Sequence, residues 1–201
     1  MNRAFQATNY STATVAPWYP IGGASLTIDN TNSLSSALPF SVKVSGGNGQ
    51  VGLANPGYYG MEVKPQVYSG SFYVRGSYKG SMTLALVSTT GTAQTFASTQ
   101  IPVTSTSGDW TQITYQLTPP APAPSVNNSL ALTFDAATAT DGSMNFNLIS
   151  LFPPTYNSRP NGMRIDLMEV LSGLNPSFLR CKYNRAHWNL DISLIYFIRG
   201  R

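Results

Sequence analysis

The chain has few of the residues that cross-link proteins or hold metal ions. Its 201 residues include one cysteine and one histidine. A single cysteine excludes an internal disulfide, and one cysteine with one histidine cannot complete the four-ligand site of a structural zinc ion. Both residues, Cys181 and His187, lie near the C-terminus. The sequence therefore predicts neither a disulfide framework nor a metal centre.

Charge is also scarce. Asp, Glu, Lys and Arg make up 10% of the residues, against about 25% in an average soluble domain. The net charge of +4 does not indicate a nucleic-acid partner, because its basic residues are concentrated in the last quarter and no RNA-binding motif is present. The sequence contains no apolar run long enough to span a membrane, and its N-terminus lacks the apolar stretch of a signal peptide. A surface of Ser, Thr, Asn, Gln and Gly is expected instead, as in many secreted β proteins.

What the sequence does contain is a series of short alternating segments. Apolar and polar residues alternate from 38 to 44, 70 to 75, 81 to 88, 113 to 117, 130 to 134 and 144 to 148. Gly, Asn and Pro turns separate them, including Asn55-Pro56-Gly57 and the proline-rich segment 119–124. This spacing predicts an antiparallel β-sandwich from 10 to 153, with a jelly roll as the expected topology. The strand order cannot be read from the pattern.

The hydrophobic period changes after this region. Leu148–Phe152 ends a strand, and Pro153-Pro154 terminates it. A helix is then predicted to begin at Asn161-Gly162 and to carry on one face Met163, Leu167, Leu171 and Leu174. Asn175-Pro176 should end that helix, and 177–179 resembles the start of another strand. These segments form one step of an α/β repeat attached to a β domain.

Several motifs together resemble one family. They are NRAFQ at 2–6, NPGYYGMEVKPQVYSGSFYVRG at 55–76, NNSLALTFD at 127–135, and the segment 148–180 that ends in NPSFLR. In this order they are similar to the fungal-type α-L-arabinofuranosidases of glycoside hydrolase family 51. The resemblance extends over the chain up to Arg180.

The resemblance implies a carbohydrate-binding-module-like jelly roll inserted into a catalytic (β/α)₈ barrel. Residues 1–9 would then be a remnant of the first barrel segment, 10–153 the jelly roll, and 154–180 the helix and strand that resume the barrel. The implied activity is the retaining hydrolysis of terminal α-L-arabinofuranosyl residues in arabinan and arabinoxylan by an extracellular enzyme. The two catalytic glutamates of the family lie on later barrel strands, so no catalytic residue is assigned here. The alternative is a stand-alone β-sandwich that binds plant cell-wall polysaccharide or acts only as a scaffold.

The C-terminal segment 181–201 departs from the family. Family members continue after the equivalent of FLR with a phenylalanine and a Pro-Gly-Gly-Asn turn, whereas this chain continues with CKYNRAHW. Cys181-Lys182-Tyr183 can be encoded by codons that contain GTAAGT, a typical intron donor. We therefore hypothesise that 181–201 is translated intron.

Sugar binding is the activity that the residues of the sandwich favour. Aromatic rings stack on sugars, and the candidates are Trp18, Tyr19, Tyr58, Tyr59, Tyr73 and Trp110. Each could equally be a core residue, which is the ordinary role of such rings. Asn9 and Asn127 begin N-glycosylation sequons. No cofactor is predicted; related jelly rolls often hold a structural calcium, but no cluster of ligands here indicates one.

Two acidic residues share a face of the predicted helix. Asp166 and Glu169 are three residues apart, a spacing that would place two catalytic carboxylates side by side on a helix. Their ordinary role is a solvated surface near the N-terminal end of a helix, where the helix dipole favours acids. No acidic pair in the chain matches a catalytic motif of the family.

Overall fold

The computed structural model describes residues 3–6, 12–91, 94–159 and 162–174. It divides into two compact units, Met1–Pro153 and Pro154–Arg201. Several features of the sequence lie outside the described residues, namely the sequon at Asn9, the strand expected at 177–179, Cys181 and His187.

The first unit is a sandwich of two five-stranded antiparallel sheets. The first sheet has the order β1-β4-β9-β6-β7, and the second has the order β2-β3-β10-β5-β8. The strands are β1 Tyr19–Ile21, β2 Ser25–Asp29, β3 Ser41–Ser45, β4 Gln50–Asn55, β5 Tyr68–Arg75, β6 Tyr78–Ser88, β7 Thr95–Ser105, β8 Thr111–Leu117, β9 Asn128–Asp135 and β10 Ser143–Phe152. The predicted jelly-roll sandwich is confirmed.

The core lies between the sheets, and the alternation of each strand explains why. Met82, Leu84 and Leu86 of β6 are fully buried, as are Phe72 and Val74 of β5. Side chains on a strand point alternately to opposite faces, so the residues between them face outward. Both outer faces are therefore built mainly from polar or small residues.

Four strands were not predicted from the sequence: β1, β2, β4 and β7. β4 is buried on both faces over most of its length and therefore shows no alternation. The other three, β1, β2 and β7, lie at the edges of their sheets, where one face and one side of a strand meet solvent. In β7 the polar Thr99 lies opposite the core residue Leu84, and Pro102 occupies an outward position opposite Ser81. Such a strand lacks a clear alternation, and proline is tolerated at an edge.

Among its described residues, 154–159 and 162–174, the second unit contains one α-helix, α1, at Ile165–Gly173. The sequence predicted that this helix begins at Asn161-Gly162. It begins later, at Ile165, because the preceding backbone is extended at Arg164. Tyr156 N donates to Met163 O at 2.9 Å, and Thr155 pairs with Arg164 in an antiparallel bridge. No residue of α1 is buried, and Leu174 is 70% exposed. Within the described residues, no helix combines the length and the apolarity needed to cross a membrane.

Candidate carbohydrate-binding faces

The structure distributes the six aromatic candidates over four places. Trp18 is 4% exposed and packs on Phe5, with ring centroids 5.9 Å apart. Its indole therefore belongs to the core and has no exposed face for a sugar. The others lie on the outer face of the first sheet (Tyr19), in the loop after β4 (Tyr58 and Tyr59), and on the outer face of the second sheet or directly beside it (Tyr73 and Trp110).

The outer face of the first sheet has a floor of small residues. One row across all five strands consists of Tyr19, Ala54, Ala131, Ala85 and Ser98. The next row, about 7 Å further along the strands, consists of Ile21, Gly52, Thr133, Thr83 and Gln100. Because the three central positions of each row are small, nothing rises from the middle of this face. We call it the alanine groove.

Tyr19 lies across one side of the alanine groove. It is opposite Ala54 of β4, yet its hydroxyl is 2.7 Å from the hydroxyl of Ser129 in β9, the next strand along. The phenol ring must therefore pass above β4, which explains why Ala54 is completely buried although it faces outward. Tyr19 remains 38% exposed. A ring held in this way is a platform on which a sugar can stack.

A depression of about 580 Å³ occupies the other end of the alanine groove. It is lined by Gln50, Tyr78, Ser81, Thr83, Gln100, Thr133, Asp135 and Thr138. Tyr78 packs edge-on against Phe134 and donates to Ser81 O at 2.9 Å. Asp135 accepts from Ala137 N at 3.0 Å at the start of the short 3-10 helix Ala136–Thr138, which closes this end. The depression is thus lined mostly by polar side chains, two of which, Tyr78 and Asp135, are held in place by hydrogen bonds.

Most of the side chains around the depression keep their hydrogen-bonding capacity. Within the described part of the chain, no hydrogen bond engages the side chains of Gln50, Ser81, Thr83, Gln100 or Thr133. Hydroxyls and amides can each donate and accept, which matches the hydroxyl groups of a neutral sugar. These residues share no motif in the sequence because they come from four strands, and only the strand register brings them together.

Tyr58 and Tyr59 form an exposed aromatic pair. They are 81% and 89% exposed, and their rings meet edge-on with centroids 4.4 Å apart. Tyr59 adopts a positive φ of 56°, a conformation that non-glycine residues rarely take. The loop is held by Asn55, whose side chain accepts from Gly57 N at 2.8 Å. The pair follows the end of β4 that is nearest Tyr19.

The outer face of the second sheet is more polar and contains Tyr73. On this sheet Asp29 lies opposite Ser41, and Tyr73 lies between Asn147 and Gln112. Trp110 directly precedes β8, and its indole N–H donates to Ser33 O at 3.0 Å. That bond connects the β2–β3 loop to the β7–β8 turn, so two candidates border the same face.

Asp29 organises one side of this face. Its carboxylate accepts hydrogen bonds from Thr31, Asn32 and Asn145 at distances from 2.7 to 3.2 Å. Burial opposes ionisation of Asp29, but these hydrogen bonds outweigh it and hold the pKa of the carboxyl well below its ordinary value. Asp29 is therefore ionised at neutral pH, and both of its carboxylate oxygens already accept hydrogen bonds.

Several acidic residues of the described chain have structural partners. Glu62 pairs with Lys64 at 3.1 Å, and Asp166 pairs with Arg164. Asp141 accepts from Ser77 N at 3.0 Å. In the described ranges there is also no group of three His, Cys, Asp or Glu residues placed to hold a metal ion.

The two residues that define the sequon at Asn127 differ in their exposure. Asn127 is exposed, whereas Ser129, its hydroxyl residue, is buried against Tyr19. Glycosylation at Asn127 remains a prediction.

The sequence is similar to those of known enzymes. It matches no protein-family model. It is 36% identical to the probable α-L-arabinofuranosidase A of Aspergillus niger over 92% of this chain and 31% of that enzyme. It is 43% identical to the probable α-L-arabinofuranosidase A of Emericella nidulans over 73% of this chain and 26% of that enzyme. The chain is homologous to part of the fungal α-L-arabinofuranosidases. It spans between about a quarter and a third of the length of these relatives.

Solved structures agree with this relationship. An arabinose-bound family 51 α-L-arabinofuranosidase superposes with a TM-score of 0.79 at 35% identity, over 92% of this chain and 31% of that one. The CBM22-1-GH10 modules of xylanase 10B from Clostridium thermocellum superpose with a TM-score of 0.50 at 18% identity, over 73% of this chain and 27% of that one. The second likeness shows the fold alone, a sandwich of the carbohydrate-binding-module type.

Proposed function

We propose that this chain supplies the polysaccharide-binding sandwich of an extracellular α-L-arabinofuranosidase that acts on arabinan and arabinoxylan, and that the alanine groove is its neutral-sugar site. In this proposal one sugar ring stacks on Tyr19, and the hydroxyls of the neighbouring sugar units of the oligosaccharide bind Thr83, Thr133 and Gln100. The depression holds the end of the bound oligosaccharide. The homology to the fungal enzymes supports the substrate class.

The observation that carries the proposal is the convergence of uncommitted hydrogen-bonding side chains on one groove. Five such side chains line the depression, and the Tyr19 platform lies one row away. The row of Tyr19 and Ala54 is about 13 Å from the pair Gln50 and Asp135 at the far end of the depression, which suits a short oligosaccharide. Rigid sites with a few well-placed polar groups are typical of ligand binding.

Affinity electrophoresis in arabinoxylan and in linear arabinan tests the proposal. The purified chain should be retarded, and Thr83→Trp should abolish the retardation by filling the groove. Gln116→Trp is the matched control, because Gln116 is exposed on the other sheet. Unretarded migration of the parent chain would leave only a scaffolding role, and equal retardation of both variants would exclude the alanine groove as the binding site.

We further propose that the purified 201-residue chain does not itself cleave arabinofuranosides. Retaining hydrolysis needs two carboxyls about 5 to 5.5 Å apart, and the partners described above commit most of the carboxylates of this chain to structure. An assay with nitrophenyl α-L-arabinofuranoside should give no turnover above a blank. Measurable turnover that survives repeated purification would refute this proposal.

Extracellular location is part of the same proposal and can be tested through Asn127. Behind a heterologous secretion signal in a fungal host, the chain should carry a glycan that an N-glycosidase removes, and Asn127→Gln should lower its mass accordingly. Secretion of a chain whose mass Asn127→Gln leaves unchanged would remove Asn127 from the proposal.

A further inference from the structure

Within the described residues, two basic side chains on the outer face of the second sheet have no acidic partner. Lys43 and Arg75 lie on either side of Asn145 in one row across the sheet, so their Cα atoms are about 10 Å apart. In the described part of the chain, the ion pairs are Lys64–Glu62 and Arg164–Asp166. Lys43 and Arg75 therefore present two positive charges, neither of them in an ion pair within the described residues, on a face whose acidic member is Asp29.

Arg75 is held in position through one of its nitrogens. Its Nε donates to Ser107 O at 2.7 Å, and no described residue accepts a hydrogen bond from the two terminal amino groups of the guanidinium. A guanidinium binds a carboxylate through two parallel hydrogen bonds. The anchored Nε reduces the side-chain freedom that is lost on binding. Lys43 can add further donors to the same anion from across Asn145.

Two acids lie near these cations, and in the described part of the chain neither forms an ion pair with them. Asp29 is on the same face and stays ionised, but its carboxylate is held by Thr31, Asn32 and Asn145. Asp109, beside Trp110, is exposed in the β7–β8 turn. Both charges weaken the attraction for an anion without filling the space between Lys43 and Arg75.

An aromatic ring lies next to Arg75. Tyr73 is two residues before it on β5 and points to the same outer face, about 7 Å away. Tyr73 is half-buried, so its edge is supported while part of the ring stays accessible. A ring beside a carboxylate-binding fork matches a pyranose that carries its carboxylate on C5.

We propose that the outer face of the second sheet binds uronic-acid residues of acidic polysaccharides, separately from the neutral sugars of the alanine groove. Arg75 and Lys43 bind the uronate carboxylate, and Tyr73 stacks on its ring. The chain would then attach to galacturonate- or glucuronate-bearing polymers through one face and to neutral side chains through the other.

The test compares ligands that differ only in charge. Isothermal titration of the purified chain with oligogalacturonate, and with a glucuronic-acid-bearing xylo-oligosaccharide, distinguishes the two uronates. The methyl-esterified oligogalacturonate removes the charge and should bind at least about fivefold more weakly. Raising the salt concentration from 20 to 300 mM should weaken binding of the acid form and leave the ester unchanged.

Variants locate the site. Arg75→Gln and Lys43→Gln should each weaken oligogalacturonate binding about five- to tenfold, whereas Asp109→Asn should strengthen it. Thr83→Trp, which fills the alanine groove, should leave uronate binding intact, so failure of one site can be distinguished from failure of the other. The proposal would be overturned if the methyl ester bound as tightly as the acid form. It would also be overturned if dextran sulfate bound as tightly as oligogalacturonate and Arg75→Gln did not weaken that binding.

Discussion

Asn145 donates a 2.8 Å hydrogen bond from its side-chain amide to Asp29, which lies 116 residues earlier in the chain. The same amide is 3.0 Å from the hydroxyl of Ser41. These contacts join β2, β3 and β10 across the outer face of the second sheet. The Asp29 carboxylate therefore binds both the start of the β2–β3 loop, at Thr31 and Asn32, and strand β10, at Asn145.

The first prediction concerns Asp29 and acid. Because hydrogen bonds hold its folded pKa below the unfolded value of about 3.9, the stabilisation is complete above about pH 4 and declines as the pH falls below it. Asp29→Asn should lower the free energy of unfolding by about 1–3 kcal/mol at pH 7, because its amide would face other amide donors. Urea denaturation should show this difference to be constant from pH 5 to 7 and smaller at pH 3. An equal difference at pH 3 would show that the charge of Asp29 does not matter.

The second prediction concerns Gly70, which lies beneath Tyr115. The Tyr115 hydroxyl donates to Ser150 O at 2.6 Å, and burial raises the pKa of this phenol well above its ordinary value. A β-carbon at Gly70 would overlap both the Tyr115 ring and Ser150 O. Gly70→Ala should therefore cost at least about 2 kcal/mol of unfolding free energy.

Gly108→Ala is the control for that measurement. A β-carbon there would meet nothing closer than the Thr106 hydroxyl at 3.9 Å, so its thermal midpoint should stay near that of the parent chain. An equally small loss of stability in Gly70→Ala and Gly108→Ala would mean that the Tyr115 ring moves aside for the new β-carbon.

The third prediction concerns the contact that joins the two sheets. Phe134 of β9 and Phe146 of β10 are almost completely buried, with ring centroids 5.7 Å apart. Phe146→Ala should destabilise the sandwich by about 3–5 kcal/mol. A double-mutant cycle with Phe134→Leu and Phe146→Leu should give a coupling of about 0.5–1.5 kcal/mol. Additive effects in the cycle would show that the rings contribute only through burial.

The fourth prediction separates the ring of Tyr19 from its hydroxyl. Tyr19→Phe removes the bond to Ser129 and should change the unfolding free energy by at most about 1.5 kcal/mol. It should still weaken arabinoxylan binding severalfold, because the ring is no longer held across β4. Tyr19→Ala should weaken binding further by removing the platform. Binding equal to that of the parent chain in both variants would exclude Tyr19 from the site.

The sequence allowed most of the sandwich to be predicted, but only part of the candidate site. Central strands such as β5 and β6 alternate clearly because one of their faces is buried, whereas the edge strands β1, β2 and β7 do not. The aromatic candidates could be named from the sequence because sugar stacking has a recognisable residue type. Their separation into core (Trp18), groove (Tyr19) and opposite face (Tyr73) could not, because it depends on which sheet each strand joins.

The sequence alone thus determined the class of fold, the inward-facing residues of the central strands and the relationship to the arabinofuranosidases, since periodicity and motifs are local properties of the chain. Only the tertiary structure decided that Gln50, Thr83, Gln100 and Thr133 meet around one depression, and that Lys43 and Arg75 lie on either side of Asn145. The physical reason is strand register. Residues that share no motif become neighbours through backbone hydrogen bonds between strands far apart in sequence.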